Sequence, residues 1–195
     1  MGTVPVFASP SEAMQMVRAG LDYLAAADAT AMAAQEQARC LRGLEQVNSV
    51  ATAARTSILG AFAAGQGHSA DADYSPRAWL IHKTGVTKGA AVACTAWVKR
   101  AEAHPLVAGR LAAGEISESV ARTLCLWTDK LREDRREEAD KILADAAVSG
   151  LGLADLAGLF WTPCRHPRTR KTPGRRSSAA TTRWARRCVG LDFAS

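Results

Sequence analysis

Apolar residues recur along this chain at intervals of three and four, and β-branched alternation is almost absent, so the pattern predicts helices in series over about residues 10–160. The first helix fits Pro10 to Ala27, with Ser9 as its cap, Pro10 at the first helical position, and Met14, Val17, Leu21 and Leu24 on one face. Thr30 is placed to cap a much longer helix reaching about Ala64. Within it Cys40, Leu44, Val47, Ala51, Ala54, Ile58 and Ala61 follow one another at alternating spacings of four and three, a heptad-like seam. Such a seam packs either into the core of its own domain or against a helix of another subunit, and the alanines would allow a partner helix to come close.

A turn-rich break at Gly65, Gly67, Ser69, Asp71 and Asp73 ends this long helix. Beyond it a compact unit is expected: Ser75 capping Pro76, a short helix to about Lys83, the turn Thr84-Gly85-Val86, and a second helix opened by Thr87 and running to Ala103. His104-Pro105 stops that helix, because the residue before a proline is pushed out of helical dihedrals. A short helix to Ala113 is closed by Gly114. Ser117 then caps a helix carrying Val120, Leu124 and Trp127 on one side. A charged helix follows over Leu131–Val148, with Leu131, Ala139, Ile142, Leu143 and Ala146 kept for the core, and Leu153–Phe160 forms the last fragment. The alternating charges from Arg132 to Lys141, including Glu137 and Lys141 at i, i+4, read as a solvated face. The expected fold is all-α, a multi-helix domain with one long N-terminal helix and a helix-turn-helix-like pair.

Composition fits an ordinary globular protein: 195 residues, 48% hydrophobic, formal net charge +6. The surplus is unevenly placed, because residues 161–195 carry +8 and residues 1–160 carry −2. The chain is therefore divided into an N-terminal arm (1–9), a helical domain (10–160) and a basic tail (161–195). The tail is expected to be disordered, since it offers too little apolar surface to offset its ordering entropy. No apolar run is long enough for a membrane span and no secretory signal is visible, which together with five widely spaced cysteines (Cys40, Cys94, Cys125, Cys164 and Cys188) points to a reducing cytoplasm. Cys40, Cys94 and Cys125 read as small core residues.

Within the acidic body, residues 77–110 carry +5 and coincide with the helix-turn-helix-like pair, Gly85 supplying the left-handed turn position. On its second helix Ala90, Cys94, Trp97 and Ala101 form the inward stripe, leaving Lys88, Val92, Thr95 and Lys99 outward. Arg77, Lys83, Lys88, Thr95, Lys99 and Arg100 are thus the candidate DNA contacts, drawing affinity from phosphates. The outward face presents no Arg, Asn or Gln for bidentate base contacts, so binding through it is expected to be weakly sequence-specific; two packed helices with ordinary surface lysines are the plainer reading. In the tail, Arg165, Arg168, Arg170, Lys171, Arg175 and Arg176 are a second set of candidate nucleic-acid contacts, with Trp161 and Trp184 available for stacking.

Catalytic patterns are thin. His68, His82, His104 and His166 show no metal-ligand spacing and read as surface residues; the glycines form neither a phosphate loop nor a dinucleotide fingerprint. No metal site, cofactor or enzymatic activity is expected. The alternative to DNA binding is a structural or oligomerisation module that self-associates through the 30–64 helix and binds no nucleic acid.

Four stretches, LRGLEQVNSVATAARTSILGAF (41–62), SPRAWLIHKTGVTKGAAV (75–92), HPLVAGRLAAGEISESVARTL (104–124) and LGLADLAGL (151–159), together resemble the actinobacterial family catalogued as domain of unknown function 222. The resemblance covers about residues 10–160 and implies a helical, cytoplasmic domain often joined to a C-terminal HNH endonuclease. An HNH module needs a histidine general base and a metal held by His, Asp or Asn. Here the only asparagine is Asn48, so no nuclease activity is expected of the chain. After Phe160 the text departs from the family and turns rich in Arg, Pro, Thr and Ser. That mixture is typical of GC-rich coding sequence read in another frame, so a frameshifted or truncated gene is one expectation and a native basic tail the other.

Overall fold

The computed structural model describes residues 7–161, and the tail contacts predicted at Arg165, Arg168, Arg170, Lys171, Arg175 and Arg176 lie outside the described residues. The described chain is all-helical, with no strand: α1 (Pro10–Ala26), α2 (Ala34–Ala64), a 3-10 turn (Gly67–Asp71), α3 (Pro76–Thr84), α4 (Lys88–Ala103), α5 (Pro105–Ala112), α6 (Glu118–Thr128), α7 (Glu133–Val148) and α8 (Leu153–Trp161). No helix among the described residues is long and apolar enough to cross a membrane. Contacts divide the chain into two compact units, Met1–Gly43 and Leu44–Ser195, the division falling within α2.

In the first unit, Ser9 Oγ accepts the Glu12 amide and the Glu12 carboxylate reaches back to the Ala8 amide, a reciprocal cap that fixes where α1 begins. No residue of α1 is buried, and Met14, Val17, Leu21 and Leu24 stand in solvent. Thr30 does not cap α2. Its hydroxyl and amide both donate to Asp28 Oδ1, closing a local turn, and the helix starts four residues later at Ala34.

The second unit owes its core to α4–α8. Val107, Leu111, Leu124, Leu143 and Leu156 are fully enclosed around Trp97 and Cys125. A smaller cluster of Leu59, Leu80 and Ala91, flanked by Phe62, Trp79 and Val98, joins the end of α2 to α3 and α4. The expected caps are in place: Ser75 accepts from Ala78, Thr87 from Ala90 and Ser117 from Val120. Gly85 closes α3 at φ 69°, where a side chain would be strained, and its amide donates to the Ile81 carbonyl. The inward stripe of α4 keeps Trp97 buried and Cys94 and Ala101 half-buried as read from the sequence, and differs at its first position. Ala91 is buried and Ala90 exposed, because Ala91 is the small residue that meets Leu59 and Leu80. Among the five core positions expected over 131–148, Leu131, Ala139 and Leu143 are buried, with Leu131 just before α7 instead of within it.

The seam of α2 departs most from expectation. Its buried positions in the second unit are Ser49, Thr52, Thr56 and Leu59, and the heptad residues lie roughly 150° around the helix from them. Leu44, Val47 and Ile58 are exposed, Ile58 at 70%. The inward hydroxyls are satisfied: Ser49 and Thr56 bond back to the carbonyls of Glu45 and Thr52, and Thr52 donates to Glu118 Oε2 at 3.0 Å. The seam therefore does not pack into its own domain. Cys40 and Cys94 are only half-buried, whereas Cys125 is enclosed as expected.

Candidate nucleic-acid interface

The helix pair divides its basic residues into a set that shares one groove and others drawn away from it, a division that charge counting does not show. Arg77 on α3 and Lys88, Thr95 and Lys99 on α4 line one groove of about 650 Å³, with Tyr74 and Ser75 at the start of α3 and Leu59, Ala63, Ala78, Ile81 and Val98 completing its walls. Among the described residues Arg77, Lys88 and Lys99 have no carboxylate partner. Three cations without a carboxylate partner among the described residues thus share one concavity, a local field that attracts anions.

The remaining candidates are drawn elsewhere. Lys83 pairs with Asp71 at 3.4 Å, and Asp71 also accepts the Trp79 indole at 2.6 Å; that hydrogen bond, with Lys83 beside it, holds the Asp71 carboxyl below its usual range. Arg100 does not line the groove. Its guanidinium lies 5.7 Å from the Trp97 ring, a cation–π contact. Thr95 lines the groove, but its hydroxyl donates back to the carbonyls of Ala91 and Val92. Arg110, also within the basic segment, is gripped by Glu115 at 2.7 Å and Asp145 at 2.8 Å. The structure thus brings together four of the six predicted residues and separates Lys83 and Arg100.

Two histidine environments were not legible in the sequence. His82 Nδ1 lies 2.6 Å from Asp73, whose carboxylate is buried beneath it. His104, read from its place before Pro105 as a surface residue, is only 1% exposed, with Nδ1 2.8 Å from Asp140 and Nε2 3.0 Å from Asp129. Asp140 is likewise enclosed, although the charge alternation around it had the look of a solvated face. Only a residue separation that brings α7 onto the α4–α5 junction reveals the pair. Burial disfavours a charged ring, but the hydrogen bonds and negative charges of Asp140 and Asp129 outweigh it and raise the His104 pKa above its usual value. Beside this cluster burial pushes the Cys125 thiol up to about 12, helped by the charge of Asp140, so that it is a poor nucleophile. With its ring enclosed and both nitrogens engaged, His104 is placed to hold helices together and not to reach a substrate. Among the described residues no group of three or more His, Cys, Asp or Glu is arranged to hold a metal ion.

One further carboxylate organises the unit. Glu118 accepts from Thr52 on α2 and the Trp97 indole on α4, each at 3.0 Å, and pairs with Arg122. Burial acts to raise its pKa, but these three partners outweigh it and lower it. Because Trp97 and Thr52 share this acceptor, α2 and α4 are tied in register, and that register sets the groove walls.

Comparison of the chain with protein-family models, curated proteins and solved structures finds no match.

Proposed function

We propose that this chain is a non-catalytic helical module that binds nucleic acid through its phosphates, with little sequence preference, at the groove between α3 and α4. The observation that carries this reading is the convergence of Arg77, Lys88 and Lys99, all without carboxylate partners among the described residues, while Lys83 and Arg110 in the same basic segment are neutralised. Phosphate contacts of this kind supply affinity by counterion release and carry no sequence information. The resemblance to the domain of unknown function 222 family agrees with a role beside nucleic acid. Replacing Arg77, Lys88 and Lys99 together by Gln in the full chain is expected to weaken binding of a labelled oligonucleotide and flatten its salt dependence. Binding that is unchanged by the triple substitution moves the site elsewhere, the basic tail being the next segment to test. Pure protein with plasmid and Mg²⁺ or Mn²⁺ is expected to leave the DNA intact; cleavage lost on changing a histidine within residues 1–160 contradicts the non-catalytic part.

A second reading, self-association through α2, is favoured by the outward heptad seam of Leu44, Val47, Ala51, Ala54 and Ile58. It is compatible with the first, because the groove takes Leu59 and Ala63 from α2, and Leu59 lies on the helix face away from the seam.

A further inference from the structure

We infer that the groove takes single-stranded nucleic acid in preference to duplex, with an unstacked base against Tyr74 and the apolar walls and the flanking phosphates on Arg77, Lys88 and Lys99. This rests on the phosphate-binding reading above and narrows its ligand.

The first argument is shape. A duplex-reading helix pair must project its second helix as a ridge into the major groove. In this protein Lys88, Thr95 and Lys99 of α4 instead form part of the wall of a recess. A duplex presents sugars and phosphates at its surface and keeps its bases stacked inside, so only the rim of such a recess gains from it.

The second argument is the lining. Leu59, Ala63, Ile81 and Val98 give the groove apolar walls, and three cations border them. Apolar walls with a cationic border match a ligand that is flat and apolar in one part and anionic next to it, as an unstacked nucleotide is. Free phosphate satisfies the cations and leaves the apolar surface wet.

The third argument is Tyr74. It lines the groove yet is 87% exposed, and among the described residues it has no aromatic neighbour. A ring that contributes almost nothing to the protein's own packing is free to receive a base, and base–aromatic stacking tolerates any sequence. DNA and RNA single strands share this chemistry.

The test uses the full chain in fluorescence anisotropy with a labelled DNA single strand, its RNA counterpart and the matching duplex, over a salt series. The single strands are expected to bind about tenfold or more tighter than the duplex, a preference that one base–aromatic stacking contact can supply. Tyr74→Ala is expected to weaken single-strand binding by about 5- to 150-fold, the range spanned by one lost stacking contact, and to leave duplex binding unchanged. Tyr74→Phe keeps the ring and is expected to restore the wild-type value. Because Tyr74 is so exposed, the far-ultraviolet circular dichroism of both variants should match wild type. Equal or tighter binding of duplex, or indifference to Tyr74→Ala, overturns the single-strand inference while leaving phosphate binding intact. Binding that ignores Arg77, Lys88 and Lys99 overturns both. The ratio of the DNA and RNA arms reports whether the sugar is read.

Discussion

Both ring nitrogens of His104 face carboxylate oxygens, at 2.8 Å and 3.0 Å, and the imidazolium is the form that can donate to two ionised carboxylates at once. The two contacts favour the charged ring, and the raised pKa has the same sense. A folded-state pKa above the unfolded value means that the stabilisation is fully present below the unfolded histidine range and is lost as pH rises through the folded pKa. Wild-type unfolding free energy, followed by urea titration at several pH values from about 6 to 9, is expected to fall across that window by more than that of His104→Ala. His104→Ala itself is expected to cost about 3–5 kcal/mol at about pH 6, because it strands the buried Asp140 carboxylate. A variant as stable as wild type, or a wild-type profile flat across the window, contradicts this account of the ring. At this scale the sequence was legible only locally. His104-Pro105 correctly marked the end of α4, but the partners that bury the ring stand 25 and 36 residues away in sequence, on segments whose packing no local pattern reveals.

At the scale of elements, periodicity located nearly every helix and cap, since both depend on neighbours within four residues. It did not say which face of α2 turns inward. Apolar-in, polar-out reasoning chose the heptad seam, whereas Thr52, Thr56 and Ser49 are the buried positions because their hydroxyls find acceptors on Glu118 and on α2's own carbonyls. The inversion makes a sharp contrast between neighbouring substitutions. Leu59→Ala, on the inner face, is expected to lose about 2–5 kcal/mol of stability. Leu44→Glu with Ile58→Glu, on the seam, is expected to cost a monomer no more than about 0.5 kcal/mol per site. Light scattering separates the outcomes for the seam: a multimer of the wild-type chain that becomes a folded monomer in the double variant supports self-association. A wild-type chain that is monomeric at every accessible concentration removes that reading.

Across the whole molecule the decisive property is where charge is left uncompensated. Counting residues gave a basic segment at 77–110 in an otherwise acidic body, and the structure sorts that segment into Lys83 and Arg110, which pair with carboxylates, Arg100, which lies over the Trp97 ring, and three cations that line one groove without a carboxylate partner among the described residues. The sorting depends on Asp71, Glu115 and Asp145 reaching Lys83 and Arg110 across turns and helices and on Trp97 holding Arg100, which is why Lys83 and Arg100 could not be told from Lys88 and Lys99 by sequence alone. The fold class was open to sequence because it sums many local preferences; the groove was not, because it is made where four segments meet. The most direct test of the central claim is the salt dependence of single-strand binding by the full chain beside its Arg77→Gln, Lys88→Gln, Lys99→Gln variant. Three phosphate contacts predict that the slope of log K against log salt becomes shallower by about 2 in the variant. An identical slope and affinity in the two proteins would contradict the assignment of this groove as the phosphate-binding site.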